Sequence, residues 1–361
     1  MGAEGHMQRK WEQNTAFLAR VSVQQKLLLS SSVNFTHWAQ RMAQIFVLIT
    51  GVYLVIAGEL SMGGMLACFL LSRLAMRPFG PVAGLMTQYH NAAVAMASLD
   101  EIMDSPLDRP EKVQFLSRKT FKGEIQFKNV SFSYPGSEQE SIRDVSFHIR
   151  PGEHIAILGR VGSGKSTIQK LAMGLYQPTS GTILIDGIDM RQIDPAEFRH
   201  SVGYVPQDVI LFYGSLRDNL TMAHPNIDDA AMIHAAEIAG LSDYINRHPR
   251  GFDMAVGERG DFLSGGQRKC VALARGIIHD PNLLLMDEPT GSMDHSTEAA
   301  IIKRLSSFIE GRSLVMVTHR TSLLALMDRI IVIDNGKLVA DGPKDRVMDA
   351  LRQGKIGGAA A

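Results

Sequence analysis

"HIAILGRVGSGKST", residues 154–167, decides the fold. The apolar run "HIAIL" reads as a buried strand. The nine residues that follow, Gly159-Arg160-Val161-Gly162-Ser163-Gly164-Lys165-Ser166-Thr167, fit the pattern GxxxxGK[ST], with a helix expected to begin near Ser166. Strand, glycine loop and helix in that order build an anion cradle. Glycines let the backbone curl so that successive N–H groups point inward, and the helix N-terminus adds the positive end of its dipole. The pattern predicts that Lys165 reaches the β- and γ-phosphates of a nucleotide and that the Ser166 hydroxyl meets Mg²⁺. A chance match in a loop would lack the strand before it and the helix after it.

"NLLLMDE", residues 282–288, supplies the other half. An apolar strand delivers Asp287 to its end, where a carboxylate can hold magnesium through water, and sets Glu288 beside it. Two carboxylates there could simply cap a turn. In a chain that already has a phosphate loop they have a task. Transfer of a γ-phosphoryl group to water needs positioning and charge neutralisation, and Glu288 is placed to orient and deprotonate the attacking water.

Outward from these motifs the pattern is one of short strands alternating with helices. "GEIQFKNVSFSY", "VSFHIR" and "TILIDG" read as strands, and "NLLLMD" and "SLVMVTH" are continuous apolar runs of the kind found in a sheet buried on both faces. "RIIVIDNGKLVADG" is a hairpin turning at Asn335-Gly336. At 361 residues the chain exceeds one domain of the commonest size. Lys plus Arg and Asp plus Glu both number 37, a neutral balance that favours no nucleic-acid partner. Two cysteines fit neither a disulfide framework nor a zinc site, and the twelve histidines lack ligand spacing such as HExxH. The polar start "MGAEGHMQRKWEQN" is unlike a signal peptide.

Before residue 105 the composition is different. "MAQIFVLITGVYLVIA", residues 42–57, carries no charge, and "MGGMLACFLLSRLAM" follows after only "GELS". Extended back through "NFTHWAQR" and on to Pro81, the two stretches, about 36–60 and 62–81, are long enough to span a bilayer as an antiparallel hairpin. A buried soluble hairpin is the alternative. Charge placement favours the membrane: Arg9, Lys10, Lys26 and Arg41 precede the first stretch, Arg73 and Arg77 close the second, and the connection holds only Glu59. Both ends then face the cytoplasm. Residues from Pro81 to Asp104 read as a further helix, and "DSPLDRPEKVQFLSRK" as a linker. The expected organisation is a membrane part over 1–105, a linker over 106–120, a nucleotide-binding domain over 121–349 and a flexible tail over 350–361.

"LSGGQRK", residues 263–269, resembles the signature of ATP-binding cassette (ABC) proteins, and with it residues 120–350 resemble the nucleotide-binding domain of an ABC transporter. The resemblance implies an α/β P-loop NTPase with a helical subdomain, preceded by an all-α transmembrane hairpin. Ser264, Gly265, Gly266 and Gln267 would open a helix whose bare N–H groups form a second anion cradle, set against the γ-phosphate bound by the other subunit of a homodimer. Tyr134 in "FSYPG" corresponds to the aromatic that stacks on adenine. Gln207 in "VGYVPQD" corresponds to the glutamine that reaches metal and water, which makes Ser166, Gln207 and Asp287 the implied Mg²⁺ ligands. His319 in "VTH" corresponds to the γ-phosphate-sensing histidine, and Asp294 in "GSMD" to the loop that crosses the dimer interface. Two departures are small: Lys269-Cys270 where Gln-Arg is commoner, and Gly291-Ser292-Met293 in place of Ser-Ala-Leu.

Val256-Gly257-Glu258-Arg259-Gly260 resembles the loop found before the signature in exporters, and the apolar hairpin fused ahead of the cassette points the same way. Residues 51–92 are similar to the last two membrane helices of type I secretion ATPases. That implies a place in the bacterial inner membrane with the nucleotide-binding domain in the cytoplasm, an exported protein as substrate, and a periplasmic adaptor and outer-membrane channel as partners. A peptide, bacteriocin or lipid exporter is the nearest alternative. A soluble ABC ATPase is disfavoured by the single cassette and the short spacing between phosphate loop and signature, and a degenerate regulatory subunit by intact Glu288 and His319. The family's membrane domain has six helices and this chain shows two, so the resemblance implies a piece of a longer protein.

Overall fold

The computed structural model describes residues 2–110, 113–118 and 120–354, and at positions 29, 79, 80, 82, 83, 86 and 87 the backbone alone. The chain divides into two compact units, Met1–Leu107 and Asp108–Ala361.

The first unit is helical. α1 (Glu4–Ile56) ends where the apolar run ends, and Gly58 at φ +78 closes it: the Gly58 N–H reaches Val55 O and the Glu59 N–H reaches Leu54 O, two bonds that satisfy the last carbonyls. Ser61 then caps α2 (Met62–Met76) by accepting from the Gly64 N–H, so the turn back is tight. A Cβ on Gly51 would lie 2.7 Å from Met65 Cγ, so the absence of a side chain there lets the two helices approach. α1 is the one helix among the described residues long and apolar enough to cross a membrane, and only 6% of its apolar window is buried. The second stretch differs from the expectation of one helix to position 81. α2 stops at Met76 and α3 (Phe79–Met103) starts after Pro78, although Arg77 and Pro78 both keep right-handed helical φ/ψ. Pro78 and Pro81 have no N–H to give to the carbonyls four residues back, so the α-helical ladder breaks at a turn that keeps the helical path, closed by the Arg77 N–H on Leu74 O at 3.3 Å. Gln40 Nε2 reaches across from α1 and donates to Met76 O at 2.8 Å, beside the break.

The second unit holds two sheets. β1 (Ile125–Ser133), β2 (Glu140–Ile149), β4 (Ser180–Ile185) and β5 (Ile188–Asp189) form an antiparallel sheet in the order β2-β1-β4-β5. The six-stranded sheet runs β10-β9-β3-β8-β7-β6, from β3 (His154–Leu158), β6 (Val202–Val205), β7 (Leu283–Asp287), β8 (Ser313–Val317), β9 (Arg329–Asp334) and β10 (Lys337–Pro343). All its pairings are parallel except the edge hairpin β9–β10, which turns at Asn335 and Gly336, φ +48 and +75. Positive φ at both central residues is what a two-residue hairpin of matching twist requires.

Successive side chains of the parallel strands go to opposite faces, and both faces are buried. Ala156, Leu284, Met286, Met316 and Val332 join one core, and Ile155, Ile157, Leu285, Val317 and Ile331 join the other. The first core packs against α6 (Leu216–Thr221), α7 (Asp229–Ile238), α9 (Gly265–Ile277) and α10 (His295–Phe308). The second packs α4 (Lys165–Ala172) and α5 (Pro195–Ser201) with the antiparallel sheet. Short helices α8 (Ser242–Arg247) and α11 (Thr321–Leu324) and the last helix α12 (Lys344–Arg352) complete the unit.

Residues expected to be a linker belong to this unit from Asp108 on. Asp108 pairs with Arg199 at 2.5 Å, Arg109 with Asp194 at 2.7 Å, and the Leu116 N–H donates to Gln192 O. Charges that read as solvated in sequence are matched by partners 85 and 91 residues away. At the other end α12 runs through Arg352, into the expected tail, and residues 355–361 lie outside the described ones.

Candidate functional site

The phosphate loop joins β3 to α4, and its glycines are there for two different reasons. A Cβ on Gly159 would stand 2.0 Å from Ile333 O, and one on Gly164, at φ +103, would stand 2.7 Å from Ser141 O. Gly162, at φ +78, would meet nothing within 4 Å. The first two are hemmed in by backbone, while Gly162 leaves its side of the loop open. Arg160 and Val161 form the loop's outer rim, Val161 fully exposed, and the Ser163 hydroxyl is buried with no hydrogen-bond partner among the described residues. Lys165 Nζ lies over the loop, donating to Gly159 O at 2.8 Å and Arg160 O at 2.7 Å. Burial pushes the Lys165 amine down from its ordinary pKa, and the carboxylates of Asp287 and Glu288 work against that shift.

Asp287 ends β7 next to this loop and is 3% exposed. Burial raises its pKa, and a hydrogen bond with Ser166 opposes the rise. The helix and strand that carry these two residues are tied by Gln169, which is fully buried in α4 and donates from Nε2 to Met286 O at 2.7 Å. Glu288 follows at φ +47, a left-handed conformation unusual for a residue with a side chain, and its N–H bonds Val317 O at 2.9 Å. Its Oε1 is 2.9 Å from His319 Nδ1, and His319 is three-quarters exposed. Glu288, His319, Ser166, Asp287 and Lys165 are thus gathered at the ends of three adjacent strands.

The residue types fit a nucleotide and Mg²⁺. An open glycine cradle, an ammonium, a buried unpartnered hydroxyl and a hydroxyl–carboxylate pair are donors for phosphate and ligands for a hard cation. Tyr134 stands at the far side of α4: its hydroxyl lies 3.1 Å from Thr167 Oγ1, Tyr176 packs edge-on to its ring at 5.2 Å, and Lys170 Nζ is 5.7 Å from its centroid. Gln207 follows β6, and its side chain is exposed.

The signature forms a second helix start. Ser264 caps α9, accepting the Gln267 N–H at 3.2 Å while Gln267 Oε1 accepts the Ser264 N–H at 2.8 Å. This reciprocal box is worth about 0.5–2 kcal/mol and uses the Gln267 side chain structurally. Gly265 and Gly266 rest on the turn after β7, where Cβ atoms would come within 3.5 Å of Ser292 Cβ and 3.4 Å of Ser292 O. Asp294 caps α10, accepting from the Thr297 N–H at 2.9 Å and from the Ser296 and Thr297 hydroxyls, and these donors hold its carboxyl far below the usual carboxylate range.

Sequence reasoning gave no role to two residues that hold the site together. Glu298 in α10 is 2% exposed and accepts from Thr290 Oγ1 at 3.0 Å, Ser322 Oγ at 2.8 Å and Arg320 Nη1 at 2.6 Å. It ties the turn beyond Glu288 to the residues beyond His319. Glu298→Ala is expected to cost about 2–3 kcal/mol, somewhat below a fully buried pair because Arg320 keeps some contact with water. Thermal unfolding of the detergent-solubilised chain checks this, and an unchanged midpoint would remove the network from the stability of the site. Lys269, in the second turn of α9, donates to Pro206 O at 3.2 Å and to Gln207 O.

Residues 142–291 match the family model described as "ABC transporter". The toxin RTX-I translocation ATP-binding protein of Actinobacillus pleuropneumoniae is 33% identical over 336 residues, 93% of this chain and 47% of that protein. The leukotoxin translocation ATP-binding protein LktB of Mannheimia haemolytica is 33% identical over 342 residues, 95% of this chain and 48% of that protein. Among solved structures, a bacterial Atm1-family ABC exporter with ATP bound superposes with a TM-score of 0.86 at 28% identity, covering 98% of this chain and 61% of that one. The chain spans about half the length of the curated relatives it matches.

Proposed function

The chain carries an ABC transporter domain at residues 142–291, and from that premise we propose that it is the ATP-binding and ATP-hydrolysing subunit of an exporter that moves a protein substrate across the bacterial inner membrane, as in type I secretion. The observation that carries the hydrolytic reading is the Glu288–His319 pair at 2.9 Å, held at the strand ends beside the Lys165 loop. Ser166, Asp287 and the Gln207 side chain would hold Mg²⁺, which would supply positive charge to offset that of the phosphates. The protein groups do the rest. Lys165 and the loop N–H groups hold the phosphates, Tyr134 offers its ring to adenine, Glu288 takes the proton of the attacking water, and His319 fixes the Glu288 carboxylate in position.

The signature at Ser264–Gly266 lies on a different helix start from the phosphate loop and offers its own N–H groups. In this reading it closes on nucleotide held by a second copy, so that two chains enclose two ATP molecules. The apolar helices of the first unit hold the subunit in the inner membrane with the cassette in the cytoplasm, and the RTX-I and leukotoxin relatives support a protein as cargo. A periplasmic adaptor and an outer-membrane channel complete the reading.

The purified chain should release phosphate from ATP only with Mg²⁺ present. In proteoliposomes an unfolded RTX-type protein should raise that rate, where a short peptide or a lipid should not. No Mg²⁺-dependent phosphate release would sink the hydrolase reading, and stimulation by the peptide or lipid alone would replace the cargo.

A further inference from the structure

We propose that Lys269 is a positioning residue that holds the Gln207 loop against the Asp287–Glu288 strand end and so sets how readily the site engages Mg²⁺. The proposal rests on the hydrolase reading above. Lys269 is five residues beyond Ser264 in α9 and only 9% exposed. A buried ammonium is unfavourable unless its protons find acceptors, and here two backbone carbonyls of one loop, Pro206 O and Gln207 O, take them. The side-chain stem passes the turn after β7, where a Cβ on Gly291 would lie 4.0 Å from Lys269 Cε. Asp287, Glu288 and Asp208 are near enough to favour its charged form against burial.

Three segments meet at this side chain: the signature helix that carries it, the loop it bonds, and the strand end whose carboxylates face it. The loop is irregular backbone just past β6, and the Gln207 side chain is exposed. A free loop would carry that amide over a range of positions. Bonds to carbonyls 206 and 207 fix the backbone from which the amide extends, so Lys269 narrows that range without touching substrate. A methionine at 269 fills similar space and makes neither bond. An arginine keeps a cation and several N–H donors.

The test uses the full chain as Lys269→Met and Lys269→Arg. Lys269→Met should raise the Mg²⁺ concentration for half-maximal ATPase about tenfold, the weight of one charge-assisted hydrogen bond. Affinity for a fluorescent ATP analogue without Mg²⁺ should stay within about twofold, since the phosphate loop is untouched. Hydrogen exchange in the nucleotide-free protein should quicken at the amides of Gln207 and Asp208, and Lys269→Arg should restore most of both effects. Unchanged exchange, or a Mg²⁺-free nucleotide affinity that falls as far as the Mg²⁺ response, overturns the proposal. If Lys269→Met does not fold, Lys269→Ala, which likewise makes neither bond, is judged by the same measurements. A wild-type chain without ATPase would defeat the hydrolase reading, and the exchange comparison would still decide whether Lys269 holds the loop.

Discussion

Glu288→Gln should leave ATP affinity within about twofold of wild type and reduce turnover by about a hundred- to ten-thousandfold, the usual weight of a positioned general base. The amide has the shape of the carboxylate and can still meet the His319 ring, but it cannot accept the proton of the attacking water. The proposed phosphate donors are untouched, because Lys165 and Ser166 open α4 and the loop backbone lies between β3 and α4. The left-handed backbone at Glu288, φ +47, is tolerated by a residue of the same size. With binding intact and hydrolysis lost, ATP-bound dimers should accumulate, which size-exclusion chromatography with trapped nucleotide would detect. Hydrolysis at the wild-type rate would take Glu288 out of the mechanism.

The parts of this site that were legible in the sequence are those whose residue type is dictated by backbone. Gly159 and Gly164 stand where a Cβ would strike a carbonyl, and Asn335-Gly336 where both φ values are positive, so the residues themselves announce the local structure. The parallel strands were equally open to reading because burial on both faces leaves no polar position in "LLLM" or "LVMV". Glu298, Lys269 and the charges from Asp108 on were not, since a charged side chain reads as a solvated face until its partners are known. Lys269 finds carbonyls 62 and 63 residues earlier. The same is true of His200, His224 and His279, whose rings lie 5.1 and 4.3 Å apart in sequence order although no ligand spacing links them. Burial and the neighbouring imidazoles lower the His279 pKa to about 4. The break between α2 and α3 was hidden for another reason. Proline removes a hydrogen bond without forcing the backbone out of the helical region, so a pattern of apolar residues runs straight through it.

Gly265→Asp separates binding within one subunit from assembly of two. The first four N–H groups of a helix have no partner within it, and the Ser264–Gln267 box satisfies the Gln267 N–H while those of Gly265 and Gly266 remain for an anion. The substitution is compatible with the fold. A Cβ at 265 would meet Ser292 Cβ at 3.5 Å, ordinary contact, and a carboxylate in the first turn complements the helix dipole by about 0.3–1 kcal/mol. Thermal stability and ATP binding at the phosphate loop of the monomer should therefore persist. Across the subunit boundary the effect reverses. A carboxylate about 4 Å from a phosphate charge costs about 4 kcal/mol at an effective dielectric of 20, a factor of about a thousand in association. ATP-driven dimerisation should be lost, and turnover with it. Loss of ATP binding by the monomer with dimerisation intact would place the signature on its own subunit's nucleotide and overturn the paired arrangement.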